Sequence, residues 1–171
     1  QGELRLVSPL IGLKPGQAGD LFKARYNLSL ALHRKQYFEE ALNQAEEAKK
    51  LNPKDKDVNN LVSSIYDGWI AYLLGKGQEA MSADRLNEAI QHWEKVLSLD
   101  EHNPDVPRFI EQARVRMKEL IEEHTKRGDA AYGNGDLLTA SNEWHAAAAL
   151  DPGNEELQAK LKKVASSKRV E

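Results

Sequence analysis

The stretch GQEAMSADRLNEAIQHWEKVLSLD at residues 77–100 decides the fold, because its register recurs twice more in the chain. A small residue is followed twelve positions later by an alanine, and then by a hydrophobic run that ends in Leu-Asn or Leu-Asp. The three pairs are Ser29 with Ala41, Gly77 with Ala89, and Gly128 with Ala140. Three equal spacings indicate an internal repeat, and repeat architectures stack similar units into extended binding surfaces.

Helical periodicity surrounds each of these spacings. Apolar residues recur at three- and four-residue steps, which is the period of an amphipathic helix. Asn52-Pro53 ends one periodic stretch, because proline disfavours helix in the residue before it. The pattern predicts an all-α fold of about seven helices. Its parts are three helix-turn-helix units at about 17–53, 55–101 and 105–152, and a capping helix over 155–166, all in a single domain spanning 17–168.

Residues 1–16, QGELRLVSPLIGLKPG, differ from the rest because two prolines and three glycines argue against helix. We expect an extended N-terminal segment or linker here, and docking of its apolar residues on the domain or on a neighbour is the alternative. The chain begins with Gln1 rather than Met, so we expect that an N-terminal targeting region is not included. Cysteine is absent, which excludes disulfides but leaves the compartment open between cytoplasm and periplasm.

The residues at equivalent positions resemble the tetratricopeptide repeat (TPR). That family has a 34-residue helix-turn-helix with a glycine, an Ala-x-x-x-Phe pattern and a terminal proline. Ala89-x-x-x-Trp93 and Ala140-x-x-x-Trp144 fit this pattern with Trp in place of Phe. The other matches are Gly77 and Gly128 at the small position and Pro53 and Pro152 at the terminal one. The resemblance implies a right-handed α-solenoid of stacked helix pairs.

Two departures from the family pattern concern the first unit and the spacing between units. Ser29 stands in place of the glycine, and Ala45 in place of the aromatic residue. Ala41 to Ala89 is 48 residues and Ala89 to Ala140 is 51, whereas contiguous repeats give 34. Because the extra residues are themselves amphipathic, we expect elongated first helices, similar to those of some bacterial TPR proteins. An intervening helical hairpin is the alternative.

Charge and composition limit the classes of function. The net charge is −3, and no segment has the basic excess typical of nucleic-acid binding. No apolar run approaches the ~20 residues that a membrane helix requires. The five histidines form no metal-binding motif, and no phosphate-binding or nucleophile motif is complete. We therefore expect no enzyme activity, metal, cofactor, nucleic-acid partner or membrane insertion of this segment.

The resemblance implies that a partner binds on the concave side, which the first helices line. The inward face is expected six and three residues before the small residue, and one and four residues after it. The groove residues predicted in this way are Lys23, Tyr26, Leu30 and His33 of the first unit, Ala71, Leu74, Gln78 and Met81 of the second, and Glu122, Thr125, Asp129 and Tyr132 of the third. The alternative is that these residues pack on neighbouring helices or contact only water.

The predicted groove lacks the Lys and Asn clamp with which the chaperone-binding TPR subclass grips a peptide carboxylate. A mostly neutral groove with an acidic end at Glu122 and Asp129 suits a peptide of apolar and basic character. The predicted function is a non-catalytic module or scaffold that binds a partner protein or peptide. The alternative is an assembly module that forms homo-oligomers through its long helices or through residues 4–13.

Overall fold

The computed structural model of the chain describes residues 14–167, and within that range it forms seven helices and no strand. The helices are α1 (Pro15–Arg34), α2 (Phe38–Leu51), α3 (Lys56–Ser82), α4 (Leu86–Leu99), α5 (Val106–Gly133), α6 (Leu137–Leu150) and α7 (Glu155–Ser167). This confirms the all-α fold. Residues 1–13 of the predicted extended segment lie outside the described residues. Pro15 and Gly16 belong to α1 instead, because proline is tolerated in the first turn of a helix.

The described chain divides into two compact bodies. The N-terminal body extends to Tyr72 and contains α1, α2 and the first part of α3. The C-terminal body begins at Leu73 and contains the end of α3 and helices α4 to α7. The single domain expected over 17–168 stays a prediction.

The helix lengths show where the residues beyond the 34-residue period are accommodated. The second helices α2, α4 and α6 have 14 residues each. The first helices α3 and α5 have 27 and 28 residues and run without a break. The elongated first helices are therefore confirmed, and the alternative of an intervening hairpin is wrong.

Each helix pair turns through one residue in the left-handed region of backbone conformation. These residues are Gln36, Asp84 and Gly135, with φ of 62°, 53° and 80°. The N–H of the following residue donates to a carbonyl oxygen five residues earlier, in the manner of a Schellman helix end. The bonds run from Tyr37 to Leu32 (3.0 Å), from Arg85 to Ala80 (2.9 Å) and from Asp136 to Ala131 (2.9 Å). The repeat register is thus present in the backbone as well as in the side chains.

The starts of α3, α5 and α7 share one capping arrangement. In each, a side-chain oxygen accepts a hydrogen bond from the backbone N–H three residues later, which satisfies a helix-terminal donor. The pairs are Asp55 with Val58 (3.0 Å), Asn103 with Val106 (3.3 Å) and Asn154 with Leu157 (3.2 Å). The three apolar residues are buried. The capping helix α7 therefore begins in the same way as a first helix.

The helix crossing in the N-terminal body is closed by a hydrogen bond. Ser29 of α1 is fully buried, and its Oγ donates to the carbonyl oxygen of Ala41 in α2 at 2.7 Å. Ala45, one turn further along α2, is also fully buried. A small polar residue and a small apolar one therefore allow this close approach without an aromatic ring.

The two crossings in the C-terminal body instead place an indole ring on a glycine. A Cβ added at Gly128 would lie 2.5 Å from Cδ1 of Trp144, and one added at Gly77 would overlap the indole of Trp93. Only glycine leaves this space. Trp93 and Trp144 are 1% and 2% exposed, so both tryptophans are core residues, as the resemblance implies.

Candidate partner-binding surface

Three predicted groove residues lie in the part of α3 that belongs to the C-terminal body. Leu74 and Met81 are half-buried, and Gln78 is exposed. Their spacing of four and three residues places them on one side of the helix. The segment thus presents two partly accessible apolar side chains next to an amide, which is a suitable composition for peptide contact.

The other four predicted residues of this body lie on α5. Glu122 and Asp129 are exposed, whereas Thr125 and Tyr132 are half-buried. The Tyr132 ring centroid lies 5.5 Å from that of Trp144, and the Nζ of Lys163 lies 5.0 Å from the Tyr132 centroid. Tyr132 therefore belongs partly to the core and partly to the surface.

Asp129 is held by groups of the chain itself. Its carboxylate accepts from the Nζ of Lys160 at 2.6 and 2.7 Å and from the Nε1 of Trp144 at 3.0 Å. The ammonium of Lys160 also lies 3.2 Å from Glu156. Partial burial alone would lower the pKa of Lys160, but the hydrogen bonds to Asp129 and Glu156 raise it above its usual value. A partner would thus meet an Asp129 that is already paired.

A second polar cluster joins α5 to α6. The Nδ1 of His124 lies 2.7 Å from Oε2 of Glu143, and the Nε of Arg127 donates to the same oxygen at 3.1 Å. The hydrogen bond from His124 is the main reason why the pKa of Glu143 lies below its usual value. In the N-terminal body, Arg25 donates to Gln44 at 2.6 Å at the same two repeat positions. These two repeat positions thus form a polar contact between the first and second helices of a pair.

Four predicted residues of the N-terminal body lie on α1, and a fifth, Ala71, is an exposed residue of α3. Lys23 is exposed, whereas Tyr26, Leu30 and His33 are half-buried. Tyr26 and Phe22 stack with their ring centroids 6.2 Å apart. These residues contribute apolar and aromatic area to the surface of this body. The ring centroid of His33 lies 5.9 Å from that of Phe38 in α2.

One exposed apolar residue on α5 was not predicted. Val115 is 49% exposed and lies seven residues before Glu122. Seven residues are two helical turns to within about 20°, so Val115 extends the side of α5 that carries Glu122. The sequence prediction did not include Val115, because it counted only from six residues before to four residues after Gly128. The added turns of α5 lie outside that range.

The described residues offer few groups for other chemistry. Within residues 14–167, no three His, Cys, Asp or Glu side chains are grouped so that they could hold a metal ion. No helix described in this range is long and apolar enough to cross a membrane. The two polar clusters around Asp129 and Glu143 join helices of the C-terminal body to one another.

Comparison with known proteins connects these features to a family. A search of curated proteins finds no match to this chain. Residues 22–55 match the family model described as Tetratricopeptide repeat. The match covers most of α1 and all of α2, and it has the 34-residue period of the family. Such repeats generally mediate protein–protein interaction and are typically non-catalytic. The chain therefore contains a tetratricopeptide repeat at residues 22–55.

Proposed function

We propose that this chain is a non-catalytic interaction module that binds a partner protein or peptide through the inner face of its first helices. The observation that supports the proposal is the exposure of the residues at the predicted inner positions of α3 and α5 in the C-terminal body. Half-buried Leu74, Met81 and Tyr132 accompany exposed Gln78 and Glu122. Partly accessible apolar side chains among polar ones are typical of surfaces where a few anchors supply most of the binding energy.

The added turns of α5 enlarge this face. Val115 supplies an exposed apolar side chain two turns before Glu122. Met81 and Tyr132 supply adaptable and rigid contact area, respectively. We infer that the elongated part of the first helix contributes to selection of the partner, because it adds surface that a 34-residue repeat does not have.

The charge of the partner follows from the state of the acidic residues. Asp129 is already bound by Lys160 and Trp144, so its charge is largely compensated. Glu122 is exposed. We infer that the partner is mainly apolar where it contacts this face, with a basic side chain near Glu122.

The α1 face of the N-terminal body is proposed as a surface of its own. Half-buried Tyr26, Leu30 and His33 and exposed Lys23 have a similar mixture of apolar and polar groups. With His33 counted as neutral, this set carries one formal positive charge, from Lys23, whereas the α5 set carries the acidic residues Glu122 and Asp129. The two faces are therefore expected to prefer different residues of a partner.

Selection from a random-peptide phage library followed by calorimetry tests the proposal. Met81→Glu places a charge among the apolar anchors, and Glu122→Lys reverses the charge at an exposed position. We expect each variant to weaken the selected peptides about tenfold or more, which is the usual loss at an interface anchor. Leu138→Glu is the matched control, because Leu138 is 63% exposed but lies on a second helix, α6.

Two results would contradict the proposal. Selected peptides that bind both inner-face variants normally, or lose affinity only with Leu138→Glu, would place the binding surface elsewhere.

Light scattering of the unmodified chain tests the assembly alternative. A stable dimer or trimer that the inner-face variants leave intact, together with failure to select any peptide, would favour that alternative.

A further inference from the structure

An open pocket of about 360 Å³ lies between α6 and α7 in the C-terminal body. This volume lies near the lower end of the range of small-molecule binding sites. Its lining includes Ser141 and His145 of α6 and Gln158, Leu161, Lys162 and Val164 of α7. The pocket is separate from the first-helix face, so its function can be tested independently of the proposed function.

The base of the pocket is apolar. Val164 is 2% exposed and belongs to the same core cluster as Trp144, and Leu161 packs against that cluster. An aliphatic side chain placed here would gain contact with a base that is already ordered by the core. The pocket therefore favours a ligand with an apolar group of modest size.

The rim of the pocket is cationic. Lys162 is exposed, and none of the lining residues in the described part of the chain is acidic. A carboxylate beside this ammonium would therefore meet no like charge from the walls. The charge of the rim favours an anionic group on the ligand.

Two further polar residues of the wall already contact the chain. The Nδ1 of His145 lies 2.7 Å from the carbonyl oxygen of Ser141, and since a carbonyl only accepts, Nδ1 carries the proton. The amide nitrogen of Gln158 lies 3.5 Å from the carbonyl oxygen of Pro152. The amide oxygen of Gln158 is thus the atom suited to accept an N–H from a ligand.

We propose that this pocket binds the C-terminal residue of a peptide whose last side chain is aliphatic. The free carboxylate lies beside Lys162, the side chain lies on Leu161 and Val164, and the peptide N–H donates to Gln158. A single ligand thus pairs with the ammonium of Lys162, packs on the apolar base and donates a hydrogen bond to Gln158.

Titration of the ¹⁵N-labelled chain with N-acetyl-L-leucine tests the proposal by NMR. The free acid is expected to shift the backbone amides of residues 141–145 and 158–165, and its C-terminal amide is expected to bind at least about fivefold more weakly, since it lacks the charge. Lys162→Gln should weaken the acid by a similar factor. Lys126→Gln, which removes an exposed lysine on α5, is the matched control and should leave binding unchanged.

Circular dichroism of each variant verifies that the helices are retained. Equal binding of the acid and the amide, or normal binding of the acid by Lys162→Gln, would overturn the proposal. Shifts of the same amides with protein concentration, in the absence of probe, would also overturn it, because a second copy of the chain would then cover the pocket.

Discussion

The two tryptophan crossings of the C-terminal body share one register but differ in what covers the indole ring. The ring of Phe109, from α5, lies 5.4 Å from that of Trp93, and Nε1 of Trp93 has no hydrogen-bond partner within residues 14–167. The Nζ of Lys160, from α7, lies 5.6 Å from the ring of Trp144, whose Nε1 donates to Asp129. One crossing is covered by an apolar group and the other by a charged one.

The difference arises at positions that the repeat makes equivalent. Phe109 and Lys160 are 51 residues apart, as are Gln78 and Asp129, which follow the two glycines. The register therefore determines where an indole packs, while two variable positions decide whether its N–H is satisfied. We expect the Trp93 crossing to be insensitive to salt and pH, and the Trp144 crossing to respond to both, because charged contacts are screened and titrate.

The largest effect is expected from adding a methyl group at the glycine that contacts the indole ring in each crossing. Gly77→Ala and Gly128→Ala would each push a methyl group into an indole ring. Overpacking of this kind typically costs 1–3 kcal/mol, so even after a helix-propensity gain we expect each variant to lose about 2 kcal/mol of unfolding free energy. Urea denaturation followed by circular dichroism measures the loss.

Gly75→Ala is the control for both variants, because an added Cβ at Gly75 meets nothing within 4 Å. Alanine there should stabilise the chain by up to about 1 kcal/mol through helix propensity alone. If Gly77→Ala and Gly75→Ala changed stability in the same direction, the close indole contact would not be what requires glycine.

The second effect distinguishes the charged cover from the apolar one. Lys160→Met keeps an apolar stem over Trp144 but removes the bonds to Asp129, and we expect a loss of about 1–2 kcal/mol in the local stability of α7. Faster hydrogen exchange of the α7 amides measures it. Asp129→Asn keeps an acceptor for Trp144 and should lose less. Undiminished protection in Lys160→Met would show that packing alone holds α7.

The sequence predicts the helices well because their signals are local. Apolar periodicity and Asn52-Pro53 place the end of α2 at Leu51, as the structure has it. The start of α1 was wrong by two residues, since a proline that argues against helix in the interior is acceptable at its first turn. The turn residue Gln36 carries a positive φ that no propensity rule would assign to it, whereas Asp84 is of a residue type that enters this region more often than most.

The candidate site was only partly predictable, because the register fixes the side of a helix but not the partners of each side chain. Asp129 lies on the predicted helix, yet its engagement by Lys160 depends on how α7 docks 31 residues later. Val115 was not predicted because the inward positions were counted from the TPR pattern, whose 34-residue units lack the added turns of α5. The groove residues themselves stay a prediction.

A smaller effect is expected from giving Trp93 the acceptor that Trp144 has. Gln78→Asp places a carboxylate at the position equivalent to Asp129. Satisfying a buried N–H is worth about 1 kcal/mol, and the lower helix propensity of Asp offsets part of it, so we expect a net gain of about 0.5 kcal/mol. Thermal denaturation measures the gain. In a Trp93→Phe background the gain should vanish, and a gain that persists would have another cause.

The smallest effect is a pH dependence confined to the Trp144 crossing. The pKa of Lys160 is raised in the folded chain, so its contribution to stability is complete below the usual lysine pKa and is lost as the pH rises through the raised value. Trp69→Phe with Trp93→Phe leaves Trp144 as the fluorescent reporter. Its emission should change at alkaline pH, and the change should be absent when Lys160→Met is added. If the alkaline change in emission persisted in Lys160→Met, another group would be its cause. If a chain that keeps Trp93 as its remaining tryptophan showed the same change, the two crossings would not differ in their pH dependence.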